Sequence, residues 1–177
     1  MSETYAAKIV ILMGVSGSGK TTIGQLLAAE LNWHFFDADK FHPQTNIDKM
    51  RQGIPLTDQD RDSWLTALRN LIDNLLRTHQ SAAIACSALK QSYRDRLSEK
   101  KKHAVVFIYL KGDYNLIYQR MHARKSHFMQ TNLLRSQFAT LEEPPGALTV
   151  DISQEPHRIV AQIKQSLGVT PFATEEQ

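Results

Sequence analysis

Gly14-Val-Ser-Gly-Ser-Gly-Lys20-Thr21 is the segment whose residue types and spacing specify chemistry most directly, matching G-x-x-x-x-G-K-[ST] at every fixed position. Glycines let the backbone curl until successive N–H groups point inward at phosphate oxygens. A helix beginning at Lys20 would add its positively polarised end. This assigns Gly14, Val15, Ser16, Gly17, Ser18, Gly19, Lys20 and Thr21 to the phosphates of a nucleoside triphosphate. Lys20 is expected to reach the β- and γ-phosphates, and Thr21 to ligate Mg²⁺. The motif does not say what receives the phosphoryl group.

Asp37-Ala-Asp39 is the first candidate for the receiving side. Alternate residues of an extended segment point the same way, so both carboxylates can face the phosphate loop. One can hold a metal through water while the other takes a proton from an attacking hydroxyl. The spacing does not decide between them; Asp39 is assigned to the hydroxyl and Asp37 to the metal. His42, Lys49, Arg51 and Arg61 follow within one polar stretch, and guanidinium matches a carboxylate bidentately. Lys49 and Arg51 lie two apart, so a helix would not put both on one face. Trp64 falls on an apolar helical stripe and is read as core. Lys90 and Arg94, one turn apart, could both face an anion, whereas Cys86 has no nearby base and reads as a small buried residue.

Arg120 and Arg124 are spaced by four on a predicted helix, so both guanidiniums could clamp a transferring phosphoryl group. A lid carrying them, about 120–135, would close over both substrates. His127 follows immediately. Residues 88–135 hold eleven Lys/Arg against three acidic residues, a local charge of +8.

The elements that must position these groups can be read from apolar spacing. Lys8–Met13 is a continuous apolar run, as in a strand buried on both faces. Further strands are predicted at Trp33–Phe36, Ser81–Cys86, Val105–Leu110 and Leu148–Ile152. Helices are predicted from Thr21 to Leu31, from a Thr57-x-x-Asp60 capping box through Leu75, around Gln91–Lys100, over Tyr114–Arg124 and from Pro156 to Gly168. Strands alternating with helices predict a three-layer α/β fold: a five-stranded parallel sheet with helices on both faces and a mobile helical lid. The 177 residues form one domain, its tail frayed from about 170.

Composition narrows the class. Apolar residues at 42% and charged residues at 22% exclude global disorder, and a net charge of +3 is only mildly basic. One cysteine excludes an internal disulfide framework and predicts a reducing cytoplasm. No apolar stretch approaches the roughly 20 residues of a membrane span. The strings Asn-Lys-x-Asp and Asp-x-x-Gly of regulatory GTPases are absent, and the third strand ends in Ser87 rather than an acidic residue, unlike motor ATPases. Small-molecule kinases remain. A nucleic-acid-binding ATPase using the +8 segment is the alternative of a different class, although that segment lacks interleaved stacking aromatics.

Taken together, these residues resemble the bacterial-type gluconate kinases of the shikimate- and nucleotide-kinase-like branch. The resemblance spans about Lys8 to Gly168. It rests on M-G-V-S-G-S-G-K-T at 13–21, D-x-D-x-x-H-P at 37–43, N-I-D-K-M-x-x-G-x-P-L-x-D-x-D-R-x-x-W at 46–64 and C-S-A-L-K-x-x-Y-R-D at 86–95. Y-L-K-G-D at 109–113, A-R-K-S-H-F at 123–128 and S-Q-F-A-T-L-E-E-P at 136–144 extend it. Ser126 stands where that family commonly has Gly. The resemblance implies transfer of a phosphoryl group from ATP to the 6-hydroxyl of gluconate, with Mg²⁺, in a homodimer that uses neither nucleic acid nor membrane. It implies Lys20, Asp39 and Arg124 as catalytic residues, and Arg120 and Arg124 at the nucleotide. It further implies Asp39, His42, Lys49, Arg51, Arg61, Lys90, Arg94 and His127 at gluconate, and adenine between the lid base and Ser153–Pro156. A kinase for another sugar acid or polyol is the neighbouring reading.

Overall fold

The computed structural model describes residues 7–99, 101–123 and 131–169. Strand β1 (Ile9–Met13) is buried along its whole length, because both of its faces are covered. Ile9, Ile11 and Met13 enter one apolar layer with Trp64, Leu68 and Ile72, whereas Val10 and Leu12 enter the other with Leu27, Ile159 and Ile163. This is the period-two alternation of a strand with core on either side.

Four more strands complete the sheet: β2 (His34–Asp37), β3 (Ala82–Ala85), β4 (Val105–Lys111) and β5 (Leu148–Asp151). All pairings are parallel, in the spatial order β2-β3-β1-β4-β5. Ile9 pairs with Ala82 on one side and Val105 on the other. Chain order is therefore broken twice around β1, and the crevices open where β1 meets its two neighbours, at the carboxyl ends of the strands.

Helix α1 (Lys20–Leu31) starts directly after Gly19, which is left-handed at φ 95°, and closes on Asn32, also left-handed. Its Gly24 lets it settle on the sheet, since a Cβ there would meet the Phe35 ring at 2.6 Å and Leu12 at 3.0 Å. Helix α7 (Pro156–Leu167), opened by Pro156 as predicted, covers the same face. Helices α3 (Asp58–Arg77) and α4 (Gln91–Ser98) cover the other. Helix α5 is Tyr114–Ala123.

Two helices were not foreseen from the sequence, α2 (Gln44–Arg51) and α6 (Thr131–Thr140). α2 is short and largely polar, and α6 begins inside what reads as lid and runs five residues past its expected end. Neither has the long apolar stripe that announces a helix. The Asp37-Ala-Asp39 segment is also corrected. It is not extended throughout, because Ala38–Phe41 is a 3₁₀ turn, with the Asp37 carboxylate accepting from the Asp39 N–H at 3.0 Å.

Among the described residues, most cations of the basic segment have partners within the fold. Lys90 pairs with Asp58 at 2.8 Å and Arg96 with Asp62 at 2.6 Å, while Lys101 pairs with Asp73, so the acidic side of α3 answers the basic side of α4 and its exit. Lys111 pairs with Glu143. These pairs fasten α3 to α4 and its exit, and the end of β4 to the segment after α6. Among the described residues no helix is long and apolar enough to cross a membrane.

The capping box at α3 is present as predicted: Thr57 accepts from the Asp60 N–H, and Asp60 accepts from the Thr57 N–H at 2.9 Å. Thr57→Ala is expected to cost about 1 kcal/mol. Urea unfolding would show it as a lower midpoint with an unchanged slope.

Candidate active site

A cavity of about 740 Å³ opens at the carboxyl ends of the strands. Its floor is the phosphate loop, with Ser16, Gly17, Gly19, Lys20 and Thr21 on its wall. The loop is tight at its start: a Cβ on Gly14 would meet the Ser18 hydroxyl at 2.8 Å and the Leu110 carbonyl oxygen at 2.9 Å. The first turn of α1 carries no side-chain cap, so its N–H groups are free for an anion. Lys20 bends back over the loop, and its Nζ donates to the Val15 carbonyl at 2.8 Å. Desolvation pushes the Lys20 ammonium below its ordinary range, while the negative charges around it, Asp39 foremost, pull it back.

Asp37 and Asp39 both line the cavity opposite the loop. The walls around Asp39 hold its carboxyl above the usual range, the like charge of Asp37 adds to this, and Lys20 opposes it. His42 and Arg61 line the same cavity, with Arg51 at its exposed rim. The Arg61 guanidinium donates to the Leu56 carbonyl and sits 5.6 Å from the centre of the Tyr93 ring. Trp64 is core, as expected, with its Nε1 donating to the Ala38 carbonyl at 2.8 Å, and one edge also reaches the cavity.

Three expected substrate residues are occupied elsewhere. Lys49 pairs with Asp60 at 2.7 Å, and Lys90 with Asp58, and neither lines the cavity. Arg94 is corrected outright. Its side chain is 2% exposed and donates to the carbonyls of Ala88, Leu89 and Glu142 and to the Gln91 side chain. Periodicity places Lys90 and Arg94 near one another but cannot see that the buried carbonyls of a turn, with Ala88 at φ 43°, need a donor. Arg120 is corrected in position: it donates to the Ile152 carbonyl at 2.7 Å and lines a separate cavity of about 320 Å³ with Gly17, Ser18, Gln154 and Pro156. That is the region expected for a base, not for the transferring phosphoryl group. Arg124, Ser126 and His127 lie outside the described residues.

The residues missed from sequence include three on α6. Ser136, Gln137 and Thr140 line the main cavity. Gln137 clasps the phosphate loop, its Oε1 accepting from the Ser16 N–H at 2.7 Å and its Nε2 donating to the Ser16 hydroxyl at 3.1 Å. The S-Q-F-A-T-L string contained it, but nothing in its spacing marks a glutamine that reaches 121 residues back along the chain. Cys86 is buried, as expected, and burial pushes its thiol up to about 12.

A phosphate loop at the end of a central strand, two carboxylates and an open cavity lined by both define a P-loop kinase of small molecules. Residues 16–167 match the shikimate kinase family. The thermosensitive gluconokinase of Escherichia coli (strain K12) is 45% identical over 166 residues, covering 92% of this chain and 88% of that protein. A sugar kinase from Janibacter sp. HTCC2649 superposes with a TM-score of 0.86 at 42% identity, over 93% of this chain and 96% of the other. A gluconokinase from Sinorhizobium meliloti 1021 gives 0.80 at 38%, over 93% and 97%. The chain belongs to the shikimate kinase family and, within it, to the gluconokinases.

The corrected role of Arg94 is directly measurable. Arg94→Met strands buried carbonyls and is expected to cost about 3 kcal/mol of stability. Below the melting temperature, the KM for the phosphoryl acceptor should stay within about twofold, whereas a residue binding the substrate carboxylate would raise it far more.

Proposed function

We infer that the protein transfers the γ-phosphoryl group of ATP to the 6-hydroxyl of D-gluconate, giving 6-phospho-D-gluconate and ADP. The observation that carries this reading is the placement of Asp39 across one cavity from Lys20 and the phosphate loop, with Arg61 and His42 on the same wall. Gluconate offers what these groups take: a carboxylate for a guanidinium, hydroxyls for polar side chains, and a primary alcohol for Asp39. The gluconokinases among its relatives support the choice of acid.

In the reaction the substrate oxygen forms a bond to the γ-phosphorus as the bond to the β,γ-bridging oxygen breaks, and the hydroxyl proton passes to Asp39. Asp39 suits this role because its surroundings raise its affinity for a proton, while Lys20 keeps it able to ionise. Lys20 and the N–H groups at the start of α1 hold the phosphates in line, so most of the catalysis is positioning and charge stabilisation. Arg61 is assigned to the gluconate carboxylate, with Arg51 at the rim, and Arg120 to the base. Arg124 and His127 keep their expected roles at the phosphoryl group and the acceptor.

The oxygen donors of Thr21 and Asp37 fit Mg²⁺, which commonly takes one or two protein oxygens and completes its shell with water and phosphate. Among the described residues no group of three or more His, Cys, Asp or Glu is gathered for a metal, which agrees with a site completed by the nucleotide. Bound there, Mg²⁺ would neutralise charge on the phosphates. A homodimer in the cytoplasm completes the reading; family resemblance supports the dimer, and the single cysteine, Cys86, supports a reducing compartment.

The test is ADP release with Mg-ATP and gluconate, shikimate, related aldonates or no acceptor. Gluconate is expected to give the highest kcat/KM, and Asp39→Asn to lower kcat by about 10²–10⁴. Faster turnover of shikimate or another aldonate would overturn the substrate. No acceptor-dependent turnover would overturn the kinase reading.

A further inference from the structure

Asn46 on α2 is 2% exposed and lies behind the cavity wall rather than on it. Its side-chain orientation follows from its partners. Nδ2 lies 2.7 Å from the Asp60 carbonyl oxygen, which can only accept, so the NH₂ group faces that carbonyl. The same Nδ2 lies 3.2 Å from His42 Nδ1. An amide NH₂ has no lone pair to offer, so Nδ1 is the acceptor, and the proton of the neutral imidazole is on Nε2. The ring is held in plane as well: it stacks on Trp64 with centroids 4.5 Å apart and planes within 9°. Trp64 is itself pinned to the Ala38 carbonyl, in the turn that bears Asp39. Burial, and then the positive charge of Arg61, push the His42 pKa down to about 4, so the ring is uncharged at neutral pH.

With Nδ1 engaged by Asn46, Nε2 is the ring nitrogen left for the cavity that His42 lines. We propose that Asn46 is a positioning residue that locks His42 as the uncharged Nε2–H tautomer, so that His42 donates to a hydroxyl oxygen of the acceptor and leaves its carboxylate to Arg61. This deepens the reading of the site as one for a polyhydroxylated acid, and rests on it. A protonated His42 would place a second cation beside Arg61 and favour a more acidic acceptor. The other tautomer would present a lone pair and favour a donor. The locked form instead discriminates against an acceptor lacking the hydroxyl, because the N–H would then be desolvated with no partner.

The tautomer can be read without any substrate, by ¹⁵N long-range correlation spectra of the full chain, with His42→Gln identifying the His42 signals. The expected result is a pyridine-type Nδ1 and a pyrrole-type Nε2, unchanged from neutral pH to about pH 5.5. A protonated Nδ1, or a mixture of tautomers, would overturn the lock. The kinetic arm uses whichever acceptor gives the highest kcat/KM in the preceding assay, so failure of gluconate there is distinguishable from failure here. His42→Gln, whose amide N–H can take the place of Nε2–H, should keep a kcat/KM about ten-fold above that of His42→Asn. Equal losses in the two would overturn the donor role. Asn46→Ala should raise the acceptor KM about ten-fold, leave the KM for ATP within about twofold, and turn the spectrum into that of exchanging tautomers. An unchanged acceptor KM in a folded Asn46→Ala protein would overturn the positioning role. Should that variant fail to fold, the unsubstituted spectrum and the two His42 variants decide the matter.

Discussion

Strand β1 is hydrogen-bonded on both sides and buried on both faces, and the site depends on that confinement. Leu12 pairs with Ala85, and Met13 with Tyr109, so the chain leaves the sheet at Gly14 with its direction set by two neighbouring ladders. Loop and helix follow from this exit. The backbone must turn at once to return over the sheet, and left-handed Gly17 and Gly19 permit the turn, bringing the start of α1 back above the strand ends. A less confined strand would deliver the same loop with a looser aim, and a displacement of about 1 Å at a phosphate matters greatly for catalysis.

The acceptor wall is built on a second, less regular principle. It comes from the ends of β2 and β3 and from three helical segments, α2, the start of α3 and α6, which side chains rather than ladders tie to the rest. Arg94 ties the turn after β3 to Glu142 beyond α6. Lys49 ties α2 to Asp60, whose carboxyl is held down at about 2 by that contact and by the Thr57 cap. Gln137 ties α6 to the phosphate loop. Many basic groups that a sequence reader would assign to an anionic substrate are therefore the fasteners of the substrate wall. Buried carbonyls and neighbouring carboxylates claim these cations first, because an unpaired buried polar group costs more than a solvated one.

Arg61 and His42 illustrate how one wall can carry two kinds of recognition. Burial, and then the charge of Arg61, keep His42 neutral. A permanent cation and a forced neutral donor on the same wall suit a ligand that is acidic at one end and hydroxylated along its length. The two side chains come from different elements, and only the tertiary structure buries His42 and brings Arg61 beside it.

Much of this was legible in the chain itself. The phosphate loop could be read residue by residue, because its chemistry depends on backbone freedom and on a lysine and a threonine at fixed offsets. The five strands, the capping box at Thr57 and the start of α7 at Pro156 were legible because they are local, set by alternation, a cap and a ring with no N–H. The order of the strands was not legible, since nothing in β3 says that it will lie between β1 and β2. The same limit hid the roles of Arg94 and Lys49, the reach of Gln137 to Ser16 and the hold of Asn46 on His42. Each of these depends on a partner brought near by tertiary packing, and a side chain's chemistry is set by what stands beside it, which spacing along the chain does not record.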